Sequence, residues 1–148
     1  MEHDRHAARY VSKLSNKLRR QMESFSTKGQ MSGAQGKVLH FLLAQKGDVF
    51  QKDVEEEYSL RPSSATQLLQ KMEQDGLIRR ESLPGDARRK RIVVCPKGLA
   101  YKTAVMEDIR TLEAQLTKGI DPDDLETFLR VMEQMLKIHQ YAIMCAPT

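Results

Sequence analysis

The side chains with the clearest chemical bent in this chain are cationic, and they crowd into one short stretch. Between Arg79 and Arg91 stand six basic residues, Arg79, Arg80, Arg88, Arg89, Lys90 and Arg91, and two acidic ones, Glu81 and Asp86. That excess of four equals the formal net charge of the whole chain, +4, so bases and acids cancel elsewhere. Two β-prone runs, residues 77–80 and 91–95, flank a turn carrying Pro84, Gly85 and Asp86. Proline fixes φ and glycine supplies unusual backbone angles, so the spacing predicts a β-hairpin with an irregular tip. A charge imbalance confined to an exposed hairpin suits a polyanion, and a protruding basic ribbon has the width to follow a nucleic-acid groove. The plain alternative is a solvated loop that is merely basic.

Just upstream, residues 50–76 read as two short helices joined by a tight turn. Phe50, Val54, Tyr58 and Leu60 supply the inward face of the first. Leu60, Arg61, Pro62 and Ser63 make the break, with Pro62 suited to a first helical turn, where its missing N–H costs nothing. Ala65, Leu68, Leu69 and Met72 then recur at the spacing of one helical face, and Gly76 is a natural stop. The opposite face carries Ser63, Ser64, Thr66, Gln67, Gln70 and Lys71, and no carboxylate occurs from Arg61 to Met72. In a chain of which 30% is charged, such a face is kept free of repulsion toward phosphates. Its hydroxyls and amides can also address donors, acceptors and thymine methyls in a major groove. Helix, turn, polar-faced helix and basic hairpin together make a winged helix-turn-helix. An ordinary helical hairpin would need these features to coincide by accident.

From Met31 to Gly98 the motifs resemble the multiple-antibiotic-resistance regulator (MarR) family of bacterial transcription factors. That family shows a Leu-Thr-like start to its second helix and a Leu-Glu-x-x-Gly-Leu-Ile close to its recognition helix. Its wing carries Asp-x-Arg and leads to Leu-Thr-x-x-Gly. The counterparts here are Met31-Ser32, then Met72-Glu73-Gln74-Asp75-Gly76-Leu77-Ile78, then Asp86-Ala87-Arg88, and finally Val94-Cys95-Pro96-Lys97-Gly98. Cys95 stands where the family usually places Thr, which weakens the cap of the next helix, although Pro96 suits a first turn. The resemblance is strong over the central half and architectural at the ends. It implies terminal helices interlaced into a two-fold dimer, and an aromatic acid or other small phenolic bound where those helices meet the DNA-binding lobe.

The whole chain has the size of a single domain, residues 1–148. Its winged helix-turn-helix lobe is expected over 30–98, with dimerisation helices over 5–25 and 99–145. Near the start, Ala7, Tyr10, Val11, Leu14, Leu18, Met22 and Phe25 follow a helical stripe. Val105, Ile109, Leu112 and Leu116 form another. After a break at Gly119-Ile120-Asp121-Pro122, a third comprises Leu125, Phe128, Leu129, Met132, Leu136, His139 and Ile143. Asp121 is a good N-cap there, with Asp123 and Asp124 favouring the positive end of the helix dipole. These helices carry more apolar surface than so small a core can cover, so a homodimer is expected, with a self-capped monomer as the alternative. Only 5% aromatic residues and no Trp argue against a reader built on base stacking. No apolar run has the length of a signal peptide or a membrane span, and two widely spaced cysteines suit a reducing cytoplasm.

Catalytic chemistry is not indicated. There is no phosphate loop, nucleophile elbow or carboxylate pair placed for acid–base work. His3 and His6 read as a frayed terminus, and His40 and His139 as core or interface residues, so neither metal nor cofactor is expected. Cys95 follows cations that favour a thiolate, yet its apolar neighbours favour an inert buried thiol.

The reading is therefore mainly α with a small β-hairpin wing: a winged helix-turn-helix core flanked by dimerisation helices. Its function is sequence-specific double-stranded DNA binding as a ligand-responsive repressor on a pseudo-palindromic operator. The DNA-binding residues are Arg61, Ser63, Ser64, Thr66, Gln67, Gln70, Lys71, Arg79, Arg88, Arg89, Lys90 and Arg91. Asp86 structures the wing by holding one of its arginines. A small apolar, aromatic or anionic effector is expected in a cleft near Lys13, Lys17, Arg19, Arg20, His40 and Phe41. The competing classes are a winged-helix module that binds an acidic protein and a thiol-based redox regulator.

Overall fold

The computed structural model describes residues 5–25 and 30–144, with side chains followed as far as residue 137. His3 and Cys145, and the side chains of His139 and Ile143, lie outside the described residues. In chain order the elements are α1 (Ala7–Phe25), α2 (Gly33–Ala44), α3 (Gln51–Tyr58), α4 (Pro62–Gln74), β1 (Ile78–Leu83), β2 (Asp86–Val94), α5 (Pro96–Ala100), α6 (Lys102–Thr117) and α7 (Pro122–Met144). Mostly helix with one antiparallel hairpin is the class the sequence predicts. The chain divides into two compact units, Met1–Leu112 and Glu113–Thr148.

Within the first unit, each helix starts and stops for a visible reason. Ser32 caps α2 in a reciprocal box: its Oγ accepts from the Gln35 N–H at 3.2 Å, and Gln35 Oε1 accepts from the Ser32 N–H at 3.0 Å. Asp53 returns to the Phe50 N–H at 2.8 Å and starts α3. That helix ends at Ser59, whose φ of +50° closes the turn one residue earlier than the expected break. Pro62 occupies the first turn of α4, as its missing N–H predicts. At the other end the Gly76 N–H donates to Glu73 O at 3.0 Å and the Leu77 N–H to Met72 O at 3.0 Å. With Gly76 at φ +75°, this is a Schellman closure, and it turns the chain directly into β1.

The core of this unit gathers Val38, Leu39 and Leu42 from α2, Val54 from α3, and Leu69 and Met72 from α4. Met31, Val49, Leu77, Ile78, Ile92 and Val105 complete it. The predicted apolar face of α4 is buried at Ala65, Leu69 and Met72 and half-buried at Leu68. Tyr58 seals one edge, its ring edge-on to Phe41 and its hydroxyl donating to Lys37 O at 2.6 Å.

The wing strands are longer than the two β-prone runs suggest. Residues 78–82 pair with 94–90 in regular register, and Leu83 then pairs with Asp86. While β1 advances one residue from Ser82 to Leu83, β2 advances four, which leaves Ala87, Arg88 and Arg89 without a partner opposite. The tip, Pro84 followed by Gly85 at φ +80°, has the residue types of a type II turn. Such a turn splays the strands of a hairpin, and the unpaired residues absorb the mismatch. The expected irregular tip is thus a bulge.

In the second unit Asp121 caps α7, its Oδ1 accepting from the Asp123 N–H at 2.8 Å, with Pro122, Asp123 and Asp124 in the first turn. Of the stripe that the sequence marks for burial on this helix, Phe128, Leu129 and Leu136 are exposed and Leu125 and Met132 half-buried.

Gly98 explains the closing glycine of the wing motif. A Cβ there would lie 2.5 Å from Leu77 O and 2.8 Å from Val94 Cγ1. Leu77 O cannot retreat freely, because it accepts the Cys95 N–H at 2.9 Å. Alanine gains about 1 kcal/mol of helix propensity, whereas overpacking costs roughly 1–3 kcal/mol. Gly98→Ala is therefore expected to destabilise the protein, read as a lower urea midpoint at unchanged m-value.

Candidate nucleic-acid interface

Helix α4 presents its polar residues on one side because its apolar ones are fixed to the core. At about 100° per residue, Ser63, Gln67, Gln70, Lys71 and Gln74 fall on a common strip, and all are exposed. Ser64 and Arg61 border the strip near the helix start and are also exposed. Gln74 was not among the expected contacts, although its spacing, four residues after Gln70 and seven after Gln67, places it there. Two carboxylates follow the acid-free segment, and both are engaged. Glu73 pairs with Arg80 at 2.7 Å and Asp75 with Lys71 at 3.2 Å. The Asp75 carboxyl is held below the usual range, first by the hydrogen bond from Gln35 and then by Lys71.

Thr66 departs from the expectation of a free base-reading group. It is half-buried; its hydroxyl donates to Pro62 O at 2.8 Å and accepts from Gln51 Nε2 at 2.9 Å. Thr66 and Glu73 lie on the flank of α4 that faces α3 and β1. Gln51 holds the first, Arg80 holds the second, and Arg80 Nη1 comes within 3.5 Å of Gln51 Oε1. This network joins α3, α4 and β1, so the hydroxyl locks the motif.

The six wing cations separate into three groups. Glu81 stands opposite Arg91 in the ladder and two residues from Arg79, so the three share one face of the ribbon. Arg79 Nε donates to Glu81 Oε1 at 3.0 Å and Arg91 Nε to Oε2 at 3.0 Å, with Asp48 3.7 Å from Arg91. Those hydrogen bonds, Arg79 first, hold the Glu81 carboxyl below its ordinary range. Arg79 and Arg91 are thus both drawn to Glu81, and Arg80 pairs with Glu73. Arg89 stacks its guanidinium 4.1 Å from the Phe50 ring centroid, tying the bulge to the start of α3. Among the described residues Arg88 and Lys90 are exposed and carry no ion pair.

Asp86 organises the wing by a different contact from the one expected. Its Oδ1 accepts the main-chain N–H of Arg88 at 3.0 Å and of Arg89 at 3.4 Å. It holds the backbone of the bulge, not a guanidinium. An Asx-type turn needs a short carboxylate two residues before the N–H it captures, and Asp-x-Arg supplies it.

A model of the MarR family matches residues 30–89, the stretch that holds α2, α3, α4, β1 and the bulge. Over that stretch the chain is similar to the MarR family. Its members are transcription regulators and not enzymes. Among solved structures, the transcription regulator MarR of Oenococcus oeni PSU-1 superposes with a TM-score of 0.80 at 25% identity, covering 89% of this chain and 99% of that one. The MepR–DNA complex of S. aureus gives 0.81 at 20% identity, over 89% and 96%. BpsR of Bordetella bronchiseptica, whose DNA binding is regulated by 6-hydroxynicotinic acid, gives 0.77 at 12% identity, over 91% and 96%. The last two show the shared fold. No curated protein matches the sequence.

In this chain a groove opens between α1, α2 and α6, lined by Met22, Phe25, Met31, Val105, Ile109 and Leu112 with Gly33, Gly36 and Asp108. The cations expected there, Lys13, Lys17, Arg19 and Arg20, do not line it, nor do His40 and Phe41. Its one charged group is Asp108, whose carboxyl is pushed up by desolvation. The cavity volume is about 20 Å³, room for a water but not for an aromatic ring. Cys95 is half-buried at the start of α5 with no side-chain cap, as its departure from Thr implies. No described helix is long and apolar enough to cross a membrane.

The Glu81 triad gives the wing an acid limit. A carboxylate depressed in the folded state adds stability above its unfolded value, near 4.5, and that stability is lost as pH falls through the folded value. Glu81→Gln should therefore melt below the parent at neutral pH. The gap should close as pH drops from about 5 toward 3; a gap that persists unchanged in acid would mean the charge is not what holds the three side chains together.

Proposed function

We propose that this chain is a MarR-family protein that reads double-stranded DNA in a sequence-specific way, as a ligand-responsive repressor that acts in the cytoplasm as a homodimer on a pseudo-palindromic operator. The observation that carries the reading is the exposed strip of α4, free of unpaired carboxylate, standing beside a wing whose tip holds two uncompensated cations. In this reading α4 enters the major groove, with Ser63, Ser64, Gln67 and Gln70 toward base edges and Arg61 and Lys71 toward phosphates. Arg88 reaches the adjacent minor groove and Lys90 the backbone. Arg79, Arg89 and Arg91 lend field and shape, and Thr66 holds the motif in register.

Residues 30–98 would form the reading lobe, with helices in 5–25 and 99–145 serving the dimer. Support for the dimer comes from apolar side chains left uncovered in one chain: Tyr10 at 53% exposure on α1, and Phe128 at 46% and Leu136 at 57% on α7. A two-fold assembly sets two reading helices one turn of DNA apart. The groove beside Asp108 suits a small, mainly apolar effector, and a lining with one carboxylate and no cation favours a neutral or protonated-amine ligand over an aromatic acid. Its volume requires the groove to widen on binding, which is how a ligand would prefer one state of the dimer.

Selection of duplexes from a random pool, followed by gel shift against random competitor, tests the reading directly. A recurrent inverted-repeat sequence is expected; a pool that stays random removes the sequence-specific function. Gln67→Ala should change the selected bases while random-duplex binding holds. Arg88→Ala should cost about 1–3 kcal/mol on the selected site, whereas Lys90→Ala should weaken all duplexes alike and lower the salt slope by about one. For the effector, thermal shift with aromatic amines beside aromatic carboxylates, then DNA-release titration, should favour the amines.

A further inference from the structure

Helix α2 and the reading helix α4 meet mostly through apolar side chains, Val38, Leu39 and Leu42 against Leu69 and Met72. Apolar contact is non-directional, so it presses two helices together without fixing the angle between them. One directional contact crosses this interface among the described residues. Gln35 Nε2 donates to Asp75 Oδ2 at 2.9 Å, across forty positions of sequence. Gln35 is 4% exposed, the one buried polar residue in the described core, and it is fully used, because its Oε1 accepts the Ser32 N–H at 3.0 Å. A buried amide with both ends satisfied is held in one orientation.

Asp75 is the C-cap of α4, and its neighbours converge on it. Lys71 pairs with its carboxylate at 3.2 Å, and Lys97 Nζ donates to its main-chain oxygen at 2.7 Å. Ser63 lies roughly 18 Å along the helix from this point. A tilt about Asp75 then moves the reading end by about 0.3 Å per degree, and hydrogen bonds to base edges tolerate only a few tenths of an ångström. Fixing one end of α4 therefore decides whether the other end can read.

We propose that Gln35 is a positioning residue for sequence recognition, holding α4 at its reading angle through the hydrogen bond to Asp75. This rests on the DNA-binding reading above. Gln35 touches no DNA in this account; it acts through Asp75.

An exchange of the two groups tests it. Gln35→Glu keeps the oxygen that caps Ser32 and sets a carboxylate against the Asp75 carboxylate. Gln35→Glu with Asp75→Asn restores one donor and one acceptor with their positions swapped. Each variant is measured in the full chain against the selected operator, a random duplex of equal length, and thermal unfolding. Gln35→Glu should lower the ratio of operator to random-duplex affinity by about tenfold with random-duplex binding unchanged, and the double variant should recover most of that ratio. A merely structural role would lower both affinities together with the melting temperature. An unchanged ratio for Gln35→Glu overturns the proposal. If Gln35→Glu fails to fold, the double variant decides: folded but with a tenfold lower ratio than the parent, it overturns the proposal equally. A parent protein that does not discriminate operator from random duplex overturns the underlying DNA reading before any variant is made.

Discussion

Five residues at the end of the reading helix, from Glu73 to Leu77, carry the constraint on which the rest of the lobe depends. The helix closes on Gly76 at φ +75°, and Leu77 is pulled back by its N–H to Met72 O. Its carbonyl accepts the Cys95 N–H, so the same residue ends α4 and joins the end of the far strand of the wing. Gly98 packs against that carbonyl at a distance no other residue permits. Glu73 ties to Arg80, Asp75 to Gln35 and Lys97. Helix, wing, α2 and α5 are thus oriented from a single joint. A left-handed glycine there is not a flexible link but the residue that makes so sharp a change from helix to strand at least steric cost.

Crowding cations onto a two-stranded ribbon carries an electrostatic cost, and the wing meets it by sorting them. Solvent screens exposed ion pairs, so the Glu81 triad adds only modestly to global stability. Its value is geometric: Arg79 and Arg91 are drawn to one face, and the opposite face is left to Arg80 and Glu73 on the side of α4. Asp86 fixes the backbone of the bulge, and Arg89 leans on Phe50, which itself pairs with Arg91 across an isolated bridge. The tip that remains carries Arg88 and Lys90 on a backbone already held in shape. A ligand-free wing of this kind loses less conformational entropy when it meets a polyanion.

Much of this was legible in the sequence because it depends on local chemistry. Pro62 and Pro122 marked helix starts, Gly76 a stop, and the alternation of Ala65, Leu68, Leu69 and Met72 with polar residues gave the buried and open sides of α4. The irregular tip followed from Pro84 and Gly85. What was not legible depends on partners distant in sequence. Six cations in thirteen residues look alike until the fold brings Glu73, Asp48 and Phe50 beside three of them. Thr66 looked free because Gln51, fifteen residues away, cannot be placed without the helix-turn-helix angle. The α1–α2–α6 groove was misjudged for the same reason. The cations of α1 share its helix with Met22 and Phe25, but only the packing decides which side closes over α2 and α6, and it is the apolar one.

The reading strip and the groove share an element, and this limits how regulation could work. Met31, Gly33 and Gly36 line the groove, while Gln35, about 160° around α2 from Gly33, reaches α4 on the other side. The first turn of α2 therefore stands between an apolar cavity and the end of the reading helix. Glycine at two lining positions keeps that wall thin, and a capping box keeps it stiff, so a displacement on one side is passed on rather than absorbed. Admitting a ring takes more room than the present cavity of about 20 Å³, and a ligand that wedges against Gly33 and Gly36 moves α2. With α2 bonded to the cap of α4, the helix that moves is connected to the one that reads.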